Sequence, residues 1–212
     1  MGRLVHDDRI GPGGHAAAQR GARGGRVPAF WLLLILAIAV GLMLADTTRT
    51  TWAQSQAGEY HVKAAFLFHF VQLVEWPTGT LGNDINPVTL CTIGEDPFQG
   101  DLETTLAGKT VGTRPLRVRH LKSAEDFPGC HVLFVSSHDA ARLGPLLQEL
   151  KDGPVLTVGE SDGFVQQGGM IGFCLVDNKV RFEINVEAAE RAKLKISSRL
   201  LLLAKTVVGN RG

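Results

Sequence analysis

The chain contains no Cys-x-x-Cys and no His-x-x-x-His among its three cysteines and seven histidines, so the commonest zinc-ligand spacings are missing. A complete phosphate loop is also absent. Gly108-Lys109-Thr110 matches the end of a Walker sequence, but Glu103 stands where that motif demands its first glycine. Gly168-Gly169 lies in no G-x-G-x-x-G, which removes the dinucleotide fingerprint. Charge of one sign is lacking too. Six of the 22 basic and three of the 21 acidic side chains fall in residues 1–57, leaving 16 against 18 in the remainder. No run of Lys or Arg is interleaved with aromatics, so nucleic acid is not an expected partner. No repeat or low-complexity tract follows residue 57.

What is present begins with a long apolar run. Phe30 to Ala45 reads FWLLLILAIAVGLMLA, preceded by Arg3, Arg9, Arg20, Arg23 and Arg26 and followed by small and polar residues. Residues 1–53 therefore have the basic, apolar and small-residue layout of a secretory signal, with Thr51-Trp52-Ala53 or Ser55-Gln56-Ala57 as cleavage zones. The competing reading is an uncleaved anchor, although a run of this length gives roughly 24 Å of helix against a ~30 Å hydrocarbon core. Either way the basic flank stays in the cytoplasm and the rest lies outside it, in the periplasm, free or tethered by residues 30–45.

Residues 58–208 carry the folding pattern of one domain. Glu59 to Glu75 places Tyr60, Ala64, Leu67, Phe68, Val71 and Val74 at helical spacing, and Trp76-Pro77 stops it. Strands are expected over Val88–Gly94, Arg114–Leu121, His131–Ser136 and Pro154–Val158, and helices over Asp96–Ala107 and Asp139–Leu150. Asp96-Pro97 supplies the cap and first position of the former, and Gly108 its stop. Gly169–Val176, the turn Asp177-Asn178 and Lys179–Asn185 form a hairpin. Helices follow over Val186–Lys193 and from Ser197-Ser198, the latter ending in an apolar Leu200–Ala204 run. This alternation predicts an α/β sandwich with a mixed, mostly parallel sheet, an antiparallel C-terminal hairpin and flanking helices.

Motifs suggesting catalysis have plainer explanations. Gly159-Glu160-Ser161-Asp162-Gly163 matches G-x-S-x-G, but FVQQGG after it is loop-like, and all seven histidines precede Ser161. A nucleophile elbow needs a helix after its serine and a histidine last. His61 and His69 lie eight residues apart, which makes a shared ligand poor. No catalytic residue, metal site or cofactor is expected. Arg181 and Glu183 share a strand face opposite Val180, Phe182 and Ile184, either as a solvated surface or as a recognition surface with Asn185. Trp76 either caps the core or contacts a ligand or partner. Of Cys91, Cys130 and Cys174, two can pair in an oxidising compartment and one is left over; spacing leaves the connectivity open.

An ordered set of segments, "FVQLVEWP", "CTIGEDPF", "CHVLFVSS", "VLTVGESDGFVQQGGMIGF" and "VRFEINVEAAERAKLKISSRLLLLA", resembles the YfiR family of exported bacterial proteins. The resemblance implies an α/β domain that acts through protein contacts without cofactor or catalytic residues and can form a homodimer. It implies a function as well: binding the periplasmic sensor domain of an inner-membrane diguanylate cyclase and keeping it inactive. An outer-membrane lipoprotein that sequesters the repressor is a further implied partner. It also implies a Cys91–Cys130 disulfide, closing a loop worth about 4 kcal/mol; Cys174, by its place in the apolar hairpin strand, is expected to be a buried, inert thiol. A small-ligand sensor with a site near Trp76 or Arg181 is the alternative.

Overall fold

A computed structural model describes residues 30, 33, 34, 58–123, 126–137 and 140–209. The chain divides into one unit at 1–47 and a second at 48–212. The signal or anchor segment thus lies outside the described residues, except that Phe30, Leu33 and Leu34 are helical and exposed. Among the described residues no helix is long and apolar enough to cross a membrane.

The second unit opens with helix α1 (58–73). Then come β1 (Val74–Glu75), β2 (Val88–Ile93), α2 (Asp101–Leu106), β3 (Thr110–Val111), β4 (Arg114–Leu121) and β5 (Val132–Val135). The remainder is α3 (Ala140–Leu150), β6 (Leu156–Gly159), β7 (Ile171–Val176), β8 (Lys179–Asn185), α4 (Val186–Arg191), β9 (Lys195–Ile196), α5 (Ser198–Leu203) and β10 (Thr206–Val208). Eight strands form one sheet in the order β10-β8-β7-β6-β5-β2-β4-β3, and β1 pairs with β9 separately. Strands β4, β2, β5, β6 and β7 run parallel, with Leu90 opposite both Val118 and Val132. The β7–β8 hairpin is antiparallel, with Phe173 opposite Phe182. Its turn residues Asp177 and Asn178 take φ of 50° and 56°, the left-handed pair that a two-residue hairpin turn requires.

All residues of β2, β5 and β6 are buried, because helices cover both faces of a parallel sheet. On one face α1 and α2 contribute Ala64, Leu67, Phe70, Leu102 and Leu106 to a core with Val88, Leu90, Phe134, Phe173 and Phe182. On the other, α3 packs Leu143, Leu146, Leu147 and Leu150 against Leu133, Val135, Phe164 and Val165. The disulfide Cys91–Cys130 is buried in this second core, with Cα atoms 5.9 Å apart, and ties the middle of β2 to the residues leading into β5.

Several elements differ from the sequence expectation. Helix α1 ends at Leu73, because Val74 and Glu75 leave it to pair with Ile196 and Lys195 ahead of Pro77. The helix expected at Asp96 starts only at Asp101. Gln99 and Gly100 take φ of 51° and 92°, which interrupts a right-handed helix, and Asp96 Oδ1 accepts from the Phe98 amide at 3.0 Å instead of capping one. The apolar Leu200–Ala204 run is divided between core and surface. Leu200 is buried while Leu202 and Leu203 are 86% and 59% exposed. Strands β1, β3, β9 and β10 have no separate signal in the sequence pattern, being two or three residues long.

Candidate functional site: a polar cleft at the sheet edge

Open α/β sheets bind ligands outside the carboxyl ends of their strands, where the strand order reverses. Here the chain passes from β2 to β4 on one side and returns to β5 on the other. Just beyond this point β5 runs into Ser136 and Ser137, and β6 into Glu160, Ser161 and Asp162. The first turn of α1 brings Glu59, Tyr60 and Lys63 to the same edge, and Phe173, Cys174 and Leu175 of β7 close the side. Of these, all but Ser136 and Ser161 line a cleft of about 360 Å³. An adjoining cavity of about 390 Å³ shares Ser137, Glu160 and Asp162 and adds Ser161 and Gln167.

The cleft is built around a buried charge pair. Lys63 and Glu160 side chains are 6% and 5% exposed, with Nζ 2.5 Å from Oε2. The same ammonium lies 2.5 Å from Glu59 Oε1 and 4.4 Å from the centre of the Tyr60 ring. Glu160 Oε1 accepts from the Tyr60 hydroxyl and from the Ser137 amide, both at 3.1 Å. Burial raises the Tyr60 hydroxyl well above its usual range, and the Glu160 charge and hydrogen bond push the same way; the phenol is held as a neutral donor. Ser161 is 9% exposed, and its Oγ has no hydrogen-bond partner among the described residues.

The loop carrying these groups is held by a ring between two glycines. A Cβ at Gly159 or at Gly169 would overlap the Phe164 ring, so both positions need glycine for the close approach. Asn185 fixes the same loop from β8. Its Nδ2 donates to Val165 O at 2.8 Å while its Oδ1 caps α4 through the Ala188 amide at 2.9 Å.

The residues singled out from sequence are dispersed. Trp76 packs on the α1-side core, and its Nε1 is buried without a partner among the described residues. Arg181 and Glu183 alternate with Val180, Phe182 and Ile184 and so face the other side of the sheet. Glu183 pairs with Lys205 at 3.4 Å. Asn185 has the capping position just described. Residue 161 is followed by turns rather than a helix, and nothing described activates its hydroxyl. The cleft residues Glu59, Lys63, Ser137 and Asp162 were missed. Lys63 did leave a trace, since it falls three positions after Tyr60 on the stripe that α1 buries.

Two further features stand apart from the cleft. Asp96, Glu103 and His120 bring ligand-type atoms within 4.8 Å of one another. This grouping is bonded internally, with His120 Nε2 2.6 Å from Glu103 Oε1 and Nδ1 2.7 Å from Thr92 Oγ1. On the α1 side, Phe66, Leu73, Phe182, Arg199, Leu200 and Leu203 line an apolar groove of about 390 Å³ beside α5.

No curated protein matches the chain in sequence. Among solved structures, a conserved domain protein of Vibrio cholerae is 11% identical with a TM-score of 0.42, covering 57% of this chain and 55% of that one. An ABC domain of Streptococcus pneumonia, solved with L-Trp, is 11% identical with a TM-score of 0.45, covering 61% and 57%. The chain thus spans little more than half the length of either. The model of one protein family matches residues 60–205, from the first turn of α1 to the residue before β10. The chain belongs to the YfiR/HmsC-like family.

Proposed function

We propose that this protein is a periplasmic regulator that holds an inner-membrane diguanylate cyclase inactive by binding its sensor domain. The observation carrying this reading is the family match over residues 60–205, which spans the disulfide-braced sheet, both helical layers and the terminal hairpin. A buried disulfide fits an oxidising compartment, and residues 1–53 have the layout of an export signal. Regulation by contact needs a docking surface and no chemistry. The groove beside α5, lined in part by Leu203, with Leu202 exposed on the same helix, is the surface we assign to the cyclase. Sequestration by an outer-membrane lipoprotein would relieve the repression, and a homodimer is compatible with the same scheme. The test is co-purification from crosslinked envelope fractions. A membrane-bound cyclase should be recovered with the protein, and its absence from every crosslinked fraction would reject the proposal.

A second reading, favoured by the cleft at Glu160, is that the protein senses a small ligand. The two readings combine if occupancy of the cleft alters the docking surface.

A further inference from the structure

We propose that the groove beside α5 receives an amphipathic helix whose apolar stripe is bordered by Asp or Glu. The inference rests on the regulatory reading, which assigns this groove to the cyclase, and specifies the segment that enters it. Hydrogen bonding decides the form of that segment. Helix α1 supplies Phe66 and Leu73 to the groove, α5 supplies Leu200 and Leu203, and Phe182 of β8 is the one described strand residue in the lining. Strand β8 is already paired on both sides, with β7 and with β10. The groove therefore offers no open strand edge, and an extended segment entering it would bury backbone N–H and C=O groups without partners. A helix satisfies its own backbone and presents apolar side chains at i, i+3, i+4 and i+7.

Charge decides what borders the stripe. Arg199 is the one described lining residue with a fixed charge. It is exposed, and it has no ion pair or hydrogen bond with any described residue. The chain around it is basic throughout. Arg191, Lys193, Lys195, Arg199 and Lys205 are all exposed, and no Asp or Glu falls between Arg191 and Lys205. Arg191 reaches Glu187 at 4.0 Å and Lys205 reaches Glu183 at 3.4 Å. Glu75 lies opposite Lys195 in the β1–β9 pair without forming an ion pair. Lys193, Lys195 and Arg199 are thus left without a counter-charge among the described residues. A carboxylate beside the apolar stripe is attracted by all three, and Arg199 can hold it through two N–H groups at once. A basic segment is repelled, which excludes wrong partners.

Helix geometry joins the two halves of the surface. Leu202 and Leu203, both exposed, stand three and four positions after Arg199 in α5. Side chains at those spacings are neighbours on a helix surface. One turn of a partner helix can therefore meet the leucines and the guanidinium together, provided its own apolar stripe carries a carboxylate at the border.

Crosslinked envelopes from cells carrying the full chain test this, with the cyclase quantified by mass spectrometry. Arg199→Glu should lower its recovery about tenfold or more at an unchanged thermal midpoint, and Arg199→Lys should keep it within about twofold. Raising salt before crosslinking should lower wild-type recovery. Lys122→Glu, beyond β4 and far from β8 in the sheet order, should leave it unchanged. A maleimide photocrosslinker on Leu203→Cys, in a Cys174→Ser background, should capture a cyclase peptide with apolar residues at helical spacing and Asp or Glu beside them. Recovery indifferent to Arg199→Glu, or a captured peptide without acidic residues, would overturn the proposal while the regulatory reading stands. Capture of lipid at position 203, with sedimentation on phosphatidylglycerol vesicles that Arg199→Glu abolishes, would assign this face to a membrane surface and overturn it as well. If the wild-type protein recovers no cyclase, both fall.

Discussion

Lys63 Nζ lies 2.5 Å from Glu160 Oε2 with both side chains withdrawn from solvent, joining the first turn of α1 to the residue after β6 across 97 positions of sequence. Removing one partner of such a pair leaves the other charged and buried, at a cost of about 3–5 kcal/mol. Lys63→Met should therefore lower the denaturation midpoint strongly. Adding Glu160→Gln, which keeps an acceptor for Tyr60 and Ser137, should restore most of the loss. A double variant no more stable than Lys63→Met would show that the pair is not the source of the effect.

The Cys91–Cys130 bridge closes a loop with a sequence separation of 39. Loop-closure entropy assigns about 4 kcal/mol to it. Cys91→Ala/Cys130→Ala should lose about that much stability in urea, and reductant should no longer affect the protein. Cys174→Ser should change little. Burial raises the Cys174 thiol above its ordinary range, the Glu183 charge adds to this, and Lys205 and Arg181 oppose it. Iodoacetamide at neutral pH should modify Cys174 more slowly than an unstructured peptide thiol.

His131 links stability to pH. Burial pushes its imidazole below the ordinary value of 6.5, with a backbone hydrogen bond at Thr80 opposing, and Nδ1 accepts from the Thr89 amide at 3.0 Å. The unfolded chain therefore takes up the proton first as pH falls. Its contribution is fully present above about 6.5 and is lost as pH drops below that value towards the lowered folded pKa. Thermal scans between pH 7.5 and 5 should show a decline that His131→Asn reduces. An unchanged slope in the variant would assign the decline to other groups.

Strands β2, β4, β5 and β6 follow from their β-rich runs, and the hairpin from Asp177-Asn178 between alternating residues. Burial of β5 on both faces was legible in VLFV. The pieces that escaped depend on long-range pairing: β1 meets β9 and β10 meets β8 only once the sheet exists. The cleft escaped for the same reason. Glu59, Lys63, Ser137 and Glu160 come from three separate segments, and no local spacing records their meeting. Trp76, Arg181, Glu183 and Asn185 stand out by residue type and strand phase, which do not record that they lie apart from the cleft.

Leu202 tests the docking surface without touching the core. It is 86% exposed, so Leu202→Asp should alter thermal stability by less than about 0.5 kcal/mol. A charge on this exposed face of α5 should nevertheless weaken partner recovery from crosslinked envelopes about tenfold or more. Undiminished recovery would place the interface elsewhere on the domain.

Cellular cyclic di-GMP, measured by mass spectrometry, tests repression most directly. Deleting the gene should raise it, the wild-type copy should restore the original level, and the Leu202→Asp copy should fail to do so despite normal abundance. A deletion strain with an unchanged level, its cyclase intact, would contradict the account.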